Sequence, residues 1–246
     1  MYNLLRNKAC QLVIGLLVCG LSFQKVQAQN RTLHLENHDD KKYYLGIALM
    51  YNTSRFNVSH DASFLFHDSV SAINPLNSGG FGLAGMHTYR FSDRFEVRAI
   101  FPQLLFAYKD LQYDLKTPDP FYDEAPVVTK RVESIQLGLP VHLKFRSDRI
   151  NNFRVYMFAG GKVEYDLSSN SNARKADDMI KLKKIDYGIE AGIGFNFYFP
   201  VFILSPEIKI SNGVQNIHAR DASFKYSSTV DQLKSRMIMF SLIFEG

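Results

Sequence analysis

The sequence predicts an all-β fold: an eight-stranded antiparallel transmembrane β-barrel with long external loops and short periplasmic turns. Three observations predict it. One stretch alternates apolar with polar or small residues for longer than a soluble strand requires. Eight alternating stretches follow one another along the chain. The connections between them run long, short, long, short, long, short, long. The longest stretch is Val132–Phe145, with Ile135, Leu137, Leu139, Val141, Leu143 and Phe145 on one face. Ser134, Gln136, Gly138, Pro140, His142 and Lys144 occupy the other. Successive strand side chains point to opposite faces. Alternation over more than about ten residues is what a tilted strand needs to cross ~30 Å of hydrocarbon, whereas soluble strands usually stop at about five or six.

Residues 1–28 read as a secretory signal peptide. Arg6 and Lys8 give a positive start, Leu12–Leu21 is an apolar run too short to span a bilayer, and Ala28 offers a cleavage site before Gln29. Lipidation of Cys19 is the competing reading, and the bulky Val18 before it counts against a lipid attachment site. Both cysteines, Cys10 and Cys19, fall inside the leader, so the mature chain carries no disulfide. The leader holds three of the 29 bases and none of the 24 acids, which leaves 26 bases against 24 acids. A net charge of +2 on the mature chain is no footprint for nucleic acid. Tryptophan is absent, but 20 Phe and 13 Tyr suffice to build interfacial girdles.

Residues 29–42 are polar and read as a loose periplasmic tail, and 43–246 as the outer-membrane barrel domain. Strand one spans Tyr43–Tyr51 and is followed by a long loop, 52–78. Strand two, Gly79–Arg90, is Gly-rich and poorly defined in register. A short turn at Ser92–Asp93 leads to strand three, where Phe95, Val97, Ala99 and Phe101 alternate with Glu96, Arg98 and Ile100. This strand fades into a second long loop, 109–130. Strand four is the stretch described first, and Pro140 within it implies a bulge or local break, since proline cannot donate to a ladder. Strand five sets Val155, Met157 and Ala159 against Arg154, Tyr156 and Phe158, and a third long loop spans 166–182. Strand six places Ile185, Tyr187, Ile189, Ala191, Ile193, Phe195 and Phe197 opposite Asp186, Gly188, Glu190, Gly192, Gly194 and Asn196. Pro200 marks a tight turn before strand seven, in which Leu204, Ile208 and Ile210 oppose Ser205, Glu207 and Lys209. After loop 213–232, strand eight closes with Ile238, Phe240, Leu242 and Phe244 on one face. Even strand number, short periplasmic turns and long external loops are the pattern of outer-membrane barrels of Gram-negative bacteria. A soluble eight-stranded barrel around a ligand also meanders, but nothing would force its loops to alternate so regularly.

With apolar faces turned to lipid, the lumen receives Glu96, Arg98, Gln136, His142, Lys144, Arg154, Lys162, Asp186, Glu190, Glu207 and Lys209. Eight strands enclose room for side chains alone, and the near balance of acids and bases lets them pair, as buried charges must. A plugged, ion-paired interior is the expectation; a narrow pore through the same charges is the alternative. No catalytic, cofactor-binding or metal-binding residue is assigned. His87 and His142 are candidates by residue type only, with no nucleophile at a recognisable spacing. His34 and His38 lie four apart in the polar tail and read as solvated. Asp119, Asp123 and Glu124 sit among prolines without the calcium-loop pattern.

The runs Ile135–Phe145 and Val155–Val163 resemble the PorT family of outer-membrane β-barrels. In that family an aliphatic–Pro–aliphatic strand ending in Lys and an aromatic precedes a strand with an aromatic and then Ala-Gly. Ile189–Gly194 is similar to the family's following Gly-rich strand, and Gly213–Ile217 to its Gly-x-x-Asn-Ile ending. The resemblance covers most of the mature chain. It implies a non-catalytic barrel without cofactors, partnered by outer-membrane lipid and by other proteins of the type IX secretion machinery, which exports peptidases and adhesins. An eight-stranded lumen cannot pass folded cargo, so the implied role is accessory. A surface adhesin, a structural barrel, a narrow pore and a lipid-modifying enzyme are the alternatives.

The leader reading predicts an exported chain that begins at Gln29 without lipid. Intact mass of the exported protein measures this, and an acylated Cys19 contradicts it.

Overall fold

The computed structural model describes residues 32–60, 70–116, 125–169, 182–219 and 229–246. The leader with its cleavage site, and Asp119, Asp123 and Glu124, lie outside the described residues. The described residues form nine strands: β1 (Tyr43–His60), β2 (Val70–Leu76), β3 (Ser78–Arg90), β4 (Phe95–Leu115), β5 (Val127–Arg146), β6 (Phe153–Asp166), β7 (Ile185–Tyr198), β8 (Ile203–Gly213) and β9 (Val230–Glu245). Every pairing is antiparallel. β9 returns to β1, and β4 joins both β3 and β5, so the sheet closes on itself. β2 and β3 share one position in the wall. β3 runs beside β4 as far out as Phe81↔Phe106, and β2 takes over from Leu76↔Asp110, with a break at Asn77 between them. The ring is therefore eight strands wide, a closed meander without an open edge, which is what a sheet in lipid requires.

Side chains sort across this wall as the alternation predicts. On β7, Ile189 is 60% exposed and the adjacent Glu190 2%. The outward set Tyr187, Ile189, Ile193, Phe195 and Phe197 is exposed, while Asp186 and Asn196 are buried. Aromatic side chains gather at both heights of this apolar wall. At the short-turn end Phe95 lies on Phe145 (5.2 Å), Phe199 on Phe202 (5.1 Å) and Phe202 on Phe244 (5.8 Å). At the other height Phe81 stacks on Phe106 at 4.7 Å beside Tyr51. Two girdles flanking an apolar band are the mark of a barrel seated between two interfaces. No described helix is long and apolar enough to cross a membrane.

The strands run farther outward than the sequence reading placed them. Strands take up much of the expected loops 52–78, 109–130 and 213–232: β1 continues to His60, β4 to Leu115, β5 starts at Val127 and β9 at Val230. The physical reason is an inversion of the two faces. Inside the band the outward residues of β1 are Tyr43, Leu45, Ile47, Leu49 and Tyr51; beyond it they become Arg55, Asn57 and Ser59, and Phe56 turns inward at 0% exposure. Above the membrane the wall stands in water, so its greasy face goes inside. Phe56, Val70, Leu111, Tyr113, Ile217 and Leu233 form part of an apolar cluster there.

A bulge adds a second disruption. The β4–β5 register shifts between Ala99 and Gln103, so Glu96, Arg98 and Ile100 face inward, and after the shift Gln103, Leu105 and Ala107 do. One extra residue flips a strand's faces. The irregularity lies opposite Pro140, whose β6 side runs unbroken through Pro140↔Lys162. The break implied by Pro140 is thus carried by its neighbour β4.

An arginine in the lipid-facing band has no counterion within reach. Ile189→Arg or Leu139→Arg should destabilise the inserted barrel by about 2–4 kcal/mol, with polar exchanges at Gln136 or Asn196 milder. Urea unfolding in vesicles, with heat-modifiable gel migration as the readout of folding, measures the difference between the faces.

Candidate functional site

The lumen is built in three levels. The middle level holds the charges. Strands β4, β5, β6, β7 and β8 deliver them, because on these strands the inward positions alternate with the lipid-facing aliphatics. Arg98, fully buried, grips Glu207 with both terminal nitrogens, Nη2–Oε2 at 3.1 Å. Tyr156 donates to the same carboxylate at 2.6 Å. The Arg98 guanidinium lies 4.7 Å over the Phe158 ring and 3.5 Å from His142 Nδ1. A donor at Nδ1 leaves the His142 proton on Nε2, which meets Glu190 Oε2 at 2.8 Å. Lys209 Nζ donates to that same oxygen at 2.8 Å. Lys162 pairs with Glu164 at 2.6 Å, and Lys144 lies 3.4 Å from Glu96 and 3.9 Å from the Tyr156 ring.

All eleven residues assigned to the lumen from sequence are buried. Arg90, Lys109, Arg146, Glu164 and Glu245 belong to the interior as well. Arg90, Arg146, Glu164 and Glu245 follow from extending the alternation of their strands, whereas Lys109 does not, because the bulge in β4 shifts the phase before it is reached. Two glycines explain how the interior is filled. A Cβ at Gly194 would stand 2.4 Å from the Tyr156 ring, and one at Gly192 2.6 Å from that of Phe158. Each glycine is the cross-strand partner of the aromatic it accommodates, so the Gly-rich strand exists to let two rings lie across the lumen.

The outer level is the apolar cluster described above, and Asn216–Ile217 close it. Asn216 Oδ1 accepts from the backbone nitrogens of His218 (3.0 Å) and Leu233 (3.1 Å), and Ile217 is buried in the cluster. Just beneath, Lys109 Nζ, Gln136 Oε1, Glu164 Oε1 and both Asp186 oxygens have no hydrogen-bond partner among the described residues. They line a void of only about 10 Å³.

The inner level corrects the reading of the tail. Residues 36–40 form a short 3-10 helix that sits in the mouth at the short-turn end. His38, expected to be solvated, is 3% exposed, with its ring edge-on to Tyr44 at 4.7 Å. The Asp39 carboxylate takes Arg154 at 2.8 Å, Arg149 at 3.2 Å and Arg146 at 3.6 Å. Arg90 donates to the backbone oxygens of His38 and Asp39. One carboxylate of the tail thus sits among arginines from β5, β6 and the turn between them. His34 is engaged too, its backbone nitrogen bonded to Asn152 Oδ1 at 2.9 Å.

The two candidate histidines part company. His142 is enclosed in the lumen, whereas His87 faces outward on β3, 2.6 Å from the Tyr43 hydroxyl. Among the described residues, neither shares a hydrogen bond with a serine, threonine or cysteine. Among the described residues no three His, Cys, Asp or Glu side chains are grouped to hold a metal. Pro140 points inward, so the lipid-facing wall beside it is made by Leu139 and Val141. On the outer wall a broad apolar depression of about 740 Å³ lies over Ala159 and Ala191, bordered by Leu143, Phe145, Met157 and Ile193.

Comparison with known protein families agrees with this architecture. The sequence model described as outer membrane protein beta-barrel domain matches residues 27–219. No curated protein matches the chain. Similar solved structures include Neisserial surface protein A, at 9% identity over 82% of this chain and 96% of that one, with a TM-score of 0.45. OprG from Pseudomonas aeruginosa shares 13% identity over 83% and 94%, with a TM-score of 0.46. Ail, the attachment invasion locus protein of Yersinia pestis, shares 12% over 84% and 100%, with a TM-score of 0.36.

Docking of the tail should depend on pH. Burial lowers the His38 pKa from 6.5 to about 4, helped by Lys41 and Arg90 and opposed by Asp39 and Glu96. An undocked His38 therefore binds more protons than a docked one between these values, and docking weakens as pH falls through that window. Burial alone would raise Asp39, but Arg154, with hydrogen bonds from Arg154 and Arg149, holds it below its ordinary value. Its contribution is lost only at still lower pH. Hydrogen exchange of residues 33–42 should be slow above about pH 7 and faster near about pH 5, and His38→Gln should flatten the change. Equal protection at both pH values contradicts this.

Proposed function

The chain belongs to the outer membrane protein beta-barrel domain family, and from that premise we propose that it serves as a non-catalytic, accessory component of the type IX protein secretion machinery. The protein resides in the outer membrane. The observation that carries the accessory role is the filled lumen. Ion pairs, the Tyr156 and Phe158 rings, an outer apolar cluster and the docked tail occupy its whole length. Such an interior offers no passage to a folded cargo, so its contribution to export is made through its surfaces.

The secretion assignment is supported by the sequence. The Ile135–Phe145, Val155–Val163, Ile189–Gly194 and Gly213–Ile217 runs, together with the length, leader and loop pattern, look most like the member for which the PorT family is named, a type IX component. Three surfaces remain for partner proteins: the external connections, the tail at the short-turn mouth, and the apolar depression over Ala159 and Ala191. A surface-adhesin reading is favoured by one feature, the polar outer faces that β1, β4 and β5 raise above the apolar band.

A deletion strain distinguishes the two. Under the secretion reading, cargo peptidases accumulate as precursors in the periplasm while lipid A stays unchanged, and full-length protein restores export. An adhesin would lose surface binding with export intact. Normal export in the deletion strain ends the secretion reading, and steady ion-selective conductance in planar bilayers would end the filled-lumen argument behind the accessory role.

A further inference from the structure

On the outward face of adjacent strands, Arg55 of β1 lies directly opposite Arg236 of β9 in the antiparallel register, with Lys234 opposite Asn57 one outward position farther on. Their faces follow from the strand alternation: Phe56 and Met237 beside them are fully buried, and Tyr51, Ile238 and Phe240 on their own side are exposed. Like charges directly opposite on a sheet face destabilise it unless something neutralises them. Among the described residues, no ion pair, hydrogen bond or other electrostatic contact engages Arg55, Lys234 or Arg236. Elsewhere on this rim the comparable residue is neutralised, since Arg131 of β5 pairs with Asp110 of β4 at 3.2 Å. The arginine pair is therefore a concentration of like charge at one place on the wall, without a counterion among the described residues.

Its height is the second observation. Tyr43 belongs to the aromatic girdle of the short-turn end. Twelve residues of strand separate it from Arg55. At about 3.3 Å per residue and a tilt of about 40°, that is roughly 30 Å along the membrane normal, the thickness of the hydrocarbon. Arg55 and Arg236 form the first outward row beyond Thr53 and Ile238, where the wall leaves the acyl chains and meets the headgroups of the outer leaflet. A guanidinium forks onto phosphate with two parallel hydrogen bonds. Two such forks and an ammonium, with aliphatic and aromatic side chains directly below, match a headgroup phosphate whose acyl chains run down the wall over Ile238, Phe240 and Tyr51.

We infer that Arg55, Arg236 and Lys234 form a binding site for the phosphate of an outer-leaflet glycolipid. The site lies on the barrel's flank and is independent of the secretion role. The test uses the full chain in phosphatidylcholine vesicles, with the temperature at which heat-modifiable migration is lost as the readout. Bis-phosphorylated lipid A should raise that temperature for the wild-type protein, and the same glycolipid stripped of phosphate should not. In the Arg55→Gln/Arg236→Gln variant the rise should vanish, with affinity for lipid A lowered about tenfold per arginine. Arg131→Gln, whose partner already neutralises it, should keep the rise. Inorganic phosphate in plain vesicles should give none. No rise with lipid A, an equal rise in the double variant, an equal rise with dephosphorylated glycolipid, or the same rise with free phosphate would each overturn the inference.

Discussion

A charge inside an eight-stranded wall cannot reach water, and the rest of this structure follows from meeting that condition. Breaking one partner of a buried ion pair costs about 3–5 kcal/mol, a large part of the roughly 5–15 kcal/mol that holds a domain together. Hence Glu207 is shared by Arg98 and Tyr156, and Glu190 by His142 and Lys209. Each carboxylate answers two donors from different strands. The pairs therefore tie β4 to β8 across the lumen and β5 to β8 through β7, and fix which strands face each other.

Most of the wall was legible because lipid imposes one simple rule. Between Ile135 and Phe145, or between Ile185 and Phe197, every second residue must be apolar, and no soluble core competes with that demand. Legibility ended where the rule changed. Beyond Tyr51 on β1 the surroundings become water and the apolar residue moves to the inward position, at Phe56. Across that boundary the alternation shifts phase, and a continuous strand reads as aperiodic. On β4 the bulge at 100–102 shifts the phase once more, which is why a strand reaching Leu115 fades in the sequence after Phe101 into an expected loop from 109.

The interior was legible by residue type and opaque in its pairing. Alternation placed His142, Glu190 and Lys209 on inward faces, but only the register and stagger of β5, β7 and β8 make them meet. The tail was misread for a different reason. Its polarity suggested solvation, yet Asp39 is drawn into the mouth by arginines that lie more than a hundred residues later in the chain. The recognisable motifs acquire physical content in the same way. The glycines of Ile189–Gly194 make room for Tyr156 and Phe158, and Asn216 bonds the backbone of β9. These are packing devices, so the resemblance they carry speaks first to the fold.

The levels of the lumen contribute differently to stability. Buried ion pairs roughly break even against apolar replacements of the same shape, so the middle level specifies strand pairing more than it stabilises the barrel. Lipid-facing aliphatics gain little from one another once the alternative is an acyl chain. The outer cluster stands where the wall emerges into water, and there the hydrophobic effect acts at full strength, about 25 cal/mol for each Å² of apolar surface removed from water. Phe56, Leu111, Tyr113 and Leu233, all at 0% exposure, come from β1, β4 and β9. The extended outer strands are thus more than a platform for loops. They form a small water-driven core, and that core clamps together the first and last strands, β1 and β9, at the seam where the ring closes.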